Sequence, residues 1–146
     1  MDEFDLQRFL DAQDDGTYAD ALAELRAGRK RSHWMWFVFP QLRGLGHSPT
    51  SVHFGITGLP EAAAYLAHPV LGPRLLECCR ALLDLPADDP EAVLGSIDAL
   101  KLHSSVTLFA AAAPDQSVFA DVLARYFQGR SDEQTVRLLD GHGGPR

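Results

Sequence analysis

The chain has 146 residues, of which 46% are hydrophobic and 23% charged, a composition typical of one folded globular domain and unlike that of a disordered chain. Twenty acidic and thirteen basic residues give a formal net charge of −7, which argues against a general nucleic-acid coat. The longest apolar run, residues 34–40, is far shorter than the roughly 20 residues of a membrane span, and the acidic N-terminus differs from a signal peptide. The sequence therefore predicts a cytoplasmic protein without membrane contact.

Seven segments combine helical spacing of apolar residues with a proline, a glycine or a capping residue at one end. In chain order they are residues 4–10, 18–27, 60–67, 70–83, 90–113, 115–127 and 132–140. Gly28 is placed to end the second helix, and Ser131 with Gln134 forms a capping box for the last. The predicted fold is mainly α: a compact multihelical single domain over residues 1–140, followed by a flexible tail at 141–146.

One irregular loop insertion, at about residues 32–58, interrupts the helical pattern. The apolar run within it fits a buried strand or a short helix capped by Ser32, and its periodicity does not separate the two. The stretch from Arg43 to Ser51 contains two glycines and a proline, and predicts a long loop. Long ordered loops carry function more often than core elements do.

The same region lies within a window that contains no acidic residue. Residues 26–60 hold five basic side chains and carry +5, so the rest of the chain carries −12. Random placement of the twenty acids would put about five of them in these 35 positions. A positive segment in a negative protein concentrates electric field on an anion, which points to a phosphate-bearing ligand.

Several residues of this window have the chemistry to bind such a ligand. Guanidinium, ammonium, hydroxyl and imidazole groups bind phosphate, and tryptophan rings stack on bases. The candidate ligand-binding residues are Arg29, Lys30, Arg31, Ser32, His33, Trp34, Trp36, Gln41 and Arg43. The alternative interpretation is that the basic residues form a solvated turn and the tryptophans belong to the core.

The fifth predicted helix contains a polar stripe in apolar surroundings. At 100° per residue, Asp98, Lys101 and Ser105 lie within about 60° of one another. Charged groups in such a helix must pair or line a cavity, because an isolated buried charge is costly. The chain has eleven arginines and two lysines, so a lysine here suggests a requirement for a compact ammonium. A purely structural Asp98–Lys101 pair is the alternative.

Familiar catalytic motifs are missing from the sequence. It has no phosphate-binding glycine loop, no nucleophile-elbow motif and no zinc-protease motif. His47 and His53 lack partners at the usual zinc spacing. We therefore expect neither a metal nor a cofactor.

Three stretches resemble a known family. Residues 30–41, reading Lys-Arg-Ser-His-Trp-Met-Trp-Phe-Val-Phe-Pro-Gln, closely resemble the signature of an uncharacterised bacterial family, domain of unknown function 1810 (DUF1810). Residues 61–75 and 98–109 match it as well. The resemblance implies a mainly helical single domain and brings no established reaction.

A weaker likeness is to the YbiA-like NADAR group, through a Glu-Ala helix start followed by a helix that carries a lysine. That group is linked to N-glycosidic cleavage of nucleotide-derived or ADP-ribosylated substrates, and a lysine and acidic residues matter there. Its own glutamate–lysine motif is replaced here by His53-Phe54-Gly55.

Together these features lead to an expected function, an N-glycosidase-like hydrolase acting on a small phosphorylated ribosyl, ADP-ribosyl or nucleotide-like ligand. The expected catalytic residues are Lys101, Asp98 and Ser105. Asp98 would stabilise an oxocarbenium ion or orient water, and Lys101 would attack ribose C1 or hold a hydroxyl. A modified nucleobase or a nucleic-acid end is a further possible ligand.

Two other functions remain open on the sequence alone. A non-catalytic module would use the same basic window to bind a nucleotide or a phosphorylated metabolite. A protein-interaction domain would instead present the run from Trp34 to Phe39 as an exposed apolar patch.

Overall fold

The computed structural model describes residues 3–142 and confirms the mainly helical fold class. This part of the chain forms ten helices and no strand. The helices are α1 (Gln7–Gln13), α2 (Thr17–Ala27), α3 (Met35–Val38), α4 (Pro49–Phe54), α5 (Leu59–Ala67), α6 (Leu71–Asp84), α7 (Pro90–Leu94), α8 (Ser96–Ala112), α9 (Ser117–Phe127) and α10 (Glu133–His142). None of the ten has the length and hydropathy needed to span a bilayer.

Helix α8 lies at the centre of the bundle. It packs against α3, α5, α7, α9 and α10, and its buried side chains face several of these neighbours at once. A helix surrounded in this way is apolar on most sides, which explains why its sequence shows little amphipathic periodicity. On the buried side of α8, a polar group is costly unless it is paired or reaches a cavity.

The predicted helix over residues 90–113 is divided at Gly95. The backbone of Gly95 has φ 89° and ψ 163°, a conformation that glycine adopts readily and other residues adopt only with strain. Helix α7 therefore ends at Leu94, and a separate helix, α8, begins at Ser96. The expectation of one continuous helix was wrong because the break depends on a single glycine inside an otherwise helical pattern.

The insertion at residues 32–58 contains two short helices, α3 and α4. The apolar run forms a helix, not a strand, and Trp34, not Ser32, occupies its N-cap position. The predicted long loop ends early because the hydroxyl of Ser48 accepts a hydrogen bond from the amide of Ser51 and caps α4. A short parallel bridge between Leu42 and Ile56 closes the base of the insertion.

The cap of the last helix differs from the predicted one. A carboxylate oxygen of Asp132 accepts hydrogen bonds from the amide and the hydroxyl of Thr135, at 3.1 and 2.6 Å. Asp132 therefore caps α10, and the expected box of Ser131 and Gln134 was wrong. Of the predicted tail, residues 141 and 142 belong to α10 and the remainder lies outside the described residues.

A buried ion pair holds the C-terminal end of the insertion. A guanidinium nitrogen of Arg8 lies 2.7 Å from a carboxylate oxygen of Glu61, and the two side chains are 8% and 1% exposed. Arg8 also donates to the carbonyl oxygens of His53 and Gly55, at 2.8 and 3.1 Å. Glu61 accepts from the amide and the hydroxyl of Thr57, both at 2.8 Å. These contacts join α1, the end of the insertion and the start of α5.

We expect Arg8→Ala to lower the free energy of unfolding by about 3–5 kcal/mol, because it leaves the carboxylate of Glu61 buried without its charged partner. Urea-induced unfolding measures the effect. Arg137→Ala is the matched control, since it removes the guanidinium of the exposed Arg137–Glu133 pair. Similar losses in the two variants would contradict the structural role assigned to the buried pair.

Candidate functional site

A pocket of about 310 Å³ opens where the segment after α2, helix α3 and the junction of α7 and α8 meet. Its side chains come from two parts of the chain that are far apart in sequence. In the described part of the chain, the polar residues that line it are Lys30, His33, Ser96, Asp98 and Lys101. Its remaining walls are formed by Met35, Trp36, Leu94, Gly95 and Ile97.

The carboxylate of Asp98 lies between two ammonium groups. The Nζ of Lys30 is 2.9 Å from one carboxylate oxygen, and the Nζ of Lys101 is 3.2 Å from the other. The side chains of Lys30, Lys101 and Asp98 are 8%, 17% and 18% exposed, so the cluster is largely sheltered from water. Two positive charges and one negative charge leave the cluster with a net charge of +1, which attracts an anion to the pocket.

Each lysine also lies over a tryptophan ring. The Nζ of Lys101 is 3.9 Å from the ring centroid of Trp36, and the Nζ of Lys30 is 5.1 Å from that of Trp34. Such cation–π contacts are attractive and help to hold each ammonium group in place. Trp36 is half-buried, whereas Trp34 is 1% exposed. Trp36 thus forms a wall of the pocket, and Trp34 belongs to the core.

The carboxylate of Glu24, near the end of α2, holds the basic segment in position through hydrogen bonds. One carboxylate oxygen accepts from the amides of Arg31 and Ser32 and from the indole nitrogen of Trp34, at 2.7, 2.9 and 2.9 Å. The other accepts from the hydroxyl of Ser32 at 2.6 Å. Burial acts to raise the pKa of Glu24, but these four hydrogen bonds outweigh it and lower the pKa from 4.5 to about 2.

Backbone contacts direct Lys30 into the pocket. Gly28 ends α2 with φ 76°, as the sequence predicts, and the chain then turns away from the helix. The amide of Lys30 donates to the carbonyl oxygen of Val93 in α7 at 2.8 Å. The ammonium of Lys30 also donates to the carbonyl oxygen of Ser32. Lys30 is thereby held at both ends, which fixes its charge beside α8.

The guanidinium groups predicted to bind phosphate lie elsewhere. Arg29 and Arg31 are exposed and are not among the described residues that line the pocket. Arg43 is also exposed and lines a different pocket, which it shares with Arg8 and Glu61. The basic window therefore contributes one ammonium group to the candidate site, and its arginines remain outside.

Three further candidates occupy structural positions beside the site. The side chain of Ser32 is engaged by Glu24, and the amide nitrogen of Gln41 donates to the hydroxyl of Ser104 at 2.6 Å. Ser105 is fully buried, and its hydroxyl has no hydrogen-bond partner among the described residues. Gln41 and Ser105 are absent from the described pocket lining, whereas His33 lies within it.

The run from Trp34 to Phe39 does not form an exposed apolar patch. Trp34, Met35, Val38 and Phe39 are each at most 2% exposed and belong to the hydrophobic core. The exposed patch that the alternative of a protein-interaction domain requires is therefore not formed by these four side chains, because α3 turns them inward.

The family model described as "Protein of unknown function (DUF1810)" matches residues 3–139. The chain belongs to the DUF1810 family. Its structure is similar to the crystal structure of the conserved hypothetical protein Rv1873 from Mycobacterium tuberculosis, with 52% sequence identity and a TM-score of 0.91 over 94% of this chain and 97% of that one. None of the curated proteins compared with the chain matches it significantly.

Two of the stretches that carry the DUF1810 resemblance meet at the pocket. The stretch 30–41 supplies Lys30, His33 and Trp36, and the stretch 98–109 supplies Asp98 and Lys101. Their joint contribution to one cavity makes this pocket the candidate functional site of this DUF1810 protein.

Glu24, Gly95 and Ile97 are among the residues that shape the site and that sequence reasoning missed. Glu24 is the last acidic residue before the acid-free window, and this position could have indicated it as a partner for the basic segment. Gly95 was visible as a glycine within a helical pattern. Ile97 lines the pocket, yet no sequence signal separates it from the other aliphatic residues of α8.

We expect the stabilising effect of Glu24 to depend on pH. Its pKa is about 2 in the folded protein and near 4.5 in an unfolded chain, so its contribution is fully present above pH 4.5 and is lost as the pH falls toward 2. The difference in unfolding free energy between the natural protein and Glu24→Gln should therefore shrink over this range. Urea unfolding at a series of pH values measures it.

Glu133→Gln, which removes an exposed carboxylate of α10, is the control for this experiment. A difference for Glu24→Gln that stays constant between pH 6 and pH 3 would show that the carboxylate does not hold the basic segment.

Proposed function

We propose that the pocket binds a small phosphorylated ribosyl, ADP-ribosyl or nucleotide-like ligand, and that the protein is a hydrolase that cleaves its N-glycosidic bond. The observation that carries the proposal is the meeting of two ammonium groups and one carboxylate in a sheltered pocket beside Trp36. Both lysines line the pocket and are largely buried, and one carboxylate cannot neutralise the charge of both.

The start of α8 supports phosphate binding at the same place. Gly95, at the N-cap, has no side chain to accept hydrogen bonds from the first amides of this 17-residue helix. Unpaired amides and the helix dipole favour an anion at such an end. Gly95, Ser96 and Ile97 all line the pocket, so a phosphate bound by Lys30 and Lys101 would also lie near this helix end.

The volume of the pocket restricts the size of the ligand. A cavity of about 310 Å³ is at the lower end of the range of roughly 300–1,000 Å³ for small-molecule sites. It suits a ribose with one phosphate. A larger ligand, such as an ADP-ribosyl group, would place one part inside and leave the rest at the opening.

The reaction assigned to the site is hydrolysis at ribose C1. The bond between C1 and the base nitrogen breaks, its electron pair leaves with the nitrogen, and positive charge develops on the ribose ring. The carboxylate of Asp98 stabilises this charge. Water then forms the new C1–O bond and releases a proton, and the departing base takes up a proton from solvent. The weaker NADAR likeness supports this reaction type.

The contacts of Lys101 favour one of its two expected roles. Its Nζ lies 3.2 Å from a carboxylate oxygen of Asp98 and 3.9 Å from the ring centroid of Trp36. These two contacts hold the group as an ion-pair partner and hydrogen-bond donor, an arrangement that suits contact with a ligand oxygen. We therefore assign Lys101 to holding a phosphate or hydroxyl oxygen, and we give Ser105 no contact with the ligand.

A second candidate function is binding without chemistry. Both oxygens of the Asp98 carboxylate already contact ammonium groups, which favours a site that holds an anion over one that releases a carboxylate for catalysis. The two functions share the ligand and differ in whether a free base is formed.

We expect AMP and ribose 5-phosphate to raise the melting temperature of the protein. Lys101→Gln should lower the affinity for each compound by about 10- to 100-fold, since a charge-assisted contact is worth about 1.5–3 kcal/mol. Thermal-shift titration measures binding. Arg29→Gln is the matched control, because it removes a neighbouring cation that lies outside the pocket. Equal losses in the two variants would contradict the assigned site.

Catalysis is tested separately with Asp98→Asn. We expect the natural protein to release free base from a nucleotide or ADP-ribosylated substrate, measured by chromatography, and the variant to lose this turnover while still binding ribose 5-phosphate. Ligand stabilisation with no free base from the natural protein would favour the binding module.

A further inference from the structure

Two exposed aliphatic side chains lie beside the pocket on the first turns of α8. Ile97 and Leu100 are 69% and 70% exposed, the highest values among the large hydrophobic residues of the described chain. They are three residues apart and therefore neighbours on the helix surface. Ile97 also lines the pocket. Exposed apolar side chains next to a polar pocket provide a surface on which an apolar part of a ligand can rest.

The order of side chains around α8 relates this surface to the charged cluster. At 100° per residue, Ile97 lies about 60° from Leu100 on one side and about 40° from Lys101 on the other. Asp98 lies about 60° beyond Lys101. The apolar pair and the carboxylate are thus on opposite sides of the Lys101 ammonium.

The aromatic wall of the pocket offers less room for a base. The ammonium of Lys101 is 3.9 Å from the centroid of the Trp36 ring, so one ring face is already covered. Trp36 is itself half-buried, and Trp34 is in the core. Base stacking on either tryptophan would require these contacts to open.

We infer that Ile97 and Leu100 form a base-binding subsite, and that the ligand is a nucleoside 5′-monophosphate whose base lies outside the pocket on these two side chains. This inference rests on the proposed function and assigns specificity residues to it. Phosphate and ribose enter the polar pocket, and the flat face of the base covers Ile97 and Leu100. The N-glycosidic bond then spans the region of Lys101, with C1 toward Asp98 and the base on the apolar side.

The arrangement has a consequence for substrate range. An aliphatic surface contacts the face of a base and makes no hydrogen bonds to its edges, so it discriminates weakly between bases. Only one face is covered, which leaves room for a modified base. The site should therefore be selective for the ribosyl phosphate and tolerant of the base.

The test compares AMP with ribose 5-phosphate, which has no base, in the natural protein and in an Ile97→Ser/Leu100→Ser double variant. We expect AMP to bind the natural protein more tightly than ribose 5-phosphate does. In the double variant, AMP affinity should fall about tenfold, from the loss of apolar contact area, while ribose 5-phosphate affinity should fall much less because the ammonium groups hold its phosphate. Calorimetric titration measures both constants.

Val136→Ser is the matched control, since it removes an aliphatic side chain that is 38% exposed on α10. Circular dichroism checks that each variant is folded, which we expect because the replaced side chains face solvent. Equal affinity of AMP and ribose 5-phosphate in the natural protein, or equal losses for both in the double variant, would overturn the base subsite and leave the proposed function standing. If neither compound binds the natural protein, the proposed function falls and this inference with it.

Discussion

The ion pair between Lys30 and Asp98 is the interaction on which the candidate site depends, because it joins the segment after α2 to the central helix α8. Removing two charges from water is costly, and one contact rarely compensates for it. Here several contacts together offset this desolvation cost, because Asp98 also contacts the ammonium of Lys101 and both lysines contact tryptophan rings. These contacts therefore stabilise the cluster as a group, and its net positive charge makes the pocket attractive to an anion.

The segment between α2 and α5, which includes the insertion at residues 32–58, is held at both ends by carboxylates on flanking helices. Glu24 on α2 binds the amides and side chains at its N-terminal end, and Glu61 on α5 binds Arg8 and Thr57 at its C-terminal end. A segment without acidic residues of its own thus takes its negative partners from neighbouring elements. This arrangement explains how an irregular stretch with little regular hydrogen bonding keeps Lys30 and Trp36 in fixed positions.

Most of the fold was predictable because helix boundaries are local. Gly28 ends α2 and Asp89 caps α7 through contacts within a few residues. The exceptions have equally local causes that compete with the pattern, such as the glycine that divides α7 from α8. The site was only partly predictable. The acid-free window and the polar stripe of α8 were visible in the sequence. Which cation of the window turns inward depends on contacts with Glu24 and Val93, and spacing along the chain does not reveal these contacts.

The conformation of Gly95 has a consequence for how this protein can vary. A Cβ atom at this position would meet no other atom within 4 Å, so there is space for a side chain. Its backbone nevertheless lies where L-residues are strained by about 1–3 kcal/mol. Position 95 should thus tolerate replacement poorly while carrying no functional group, and a survey of permitted substitutions would show a preference for glycine that comes from backbone conformation alone.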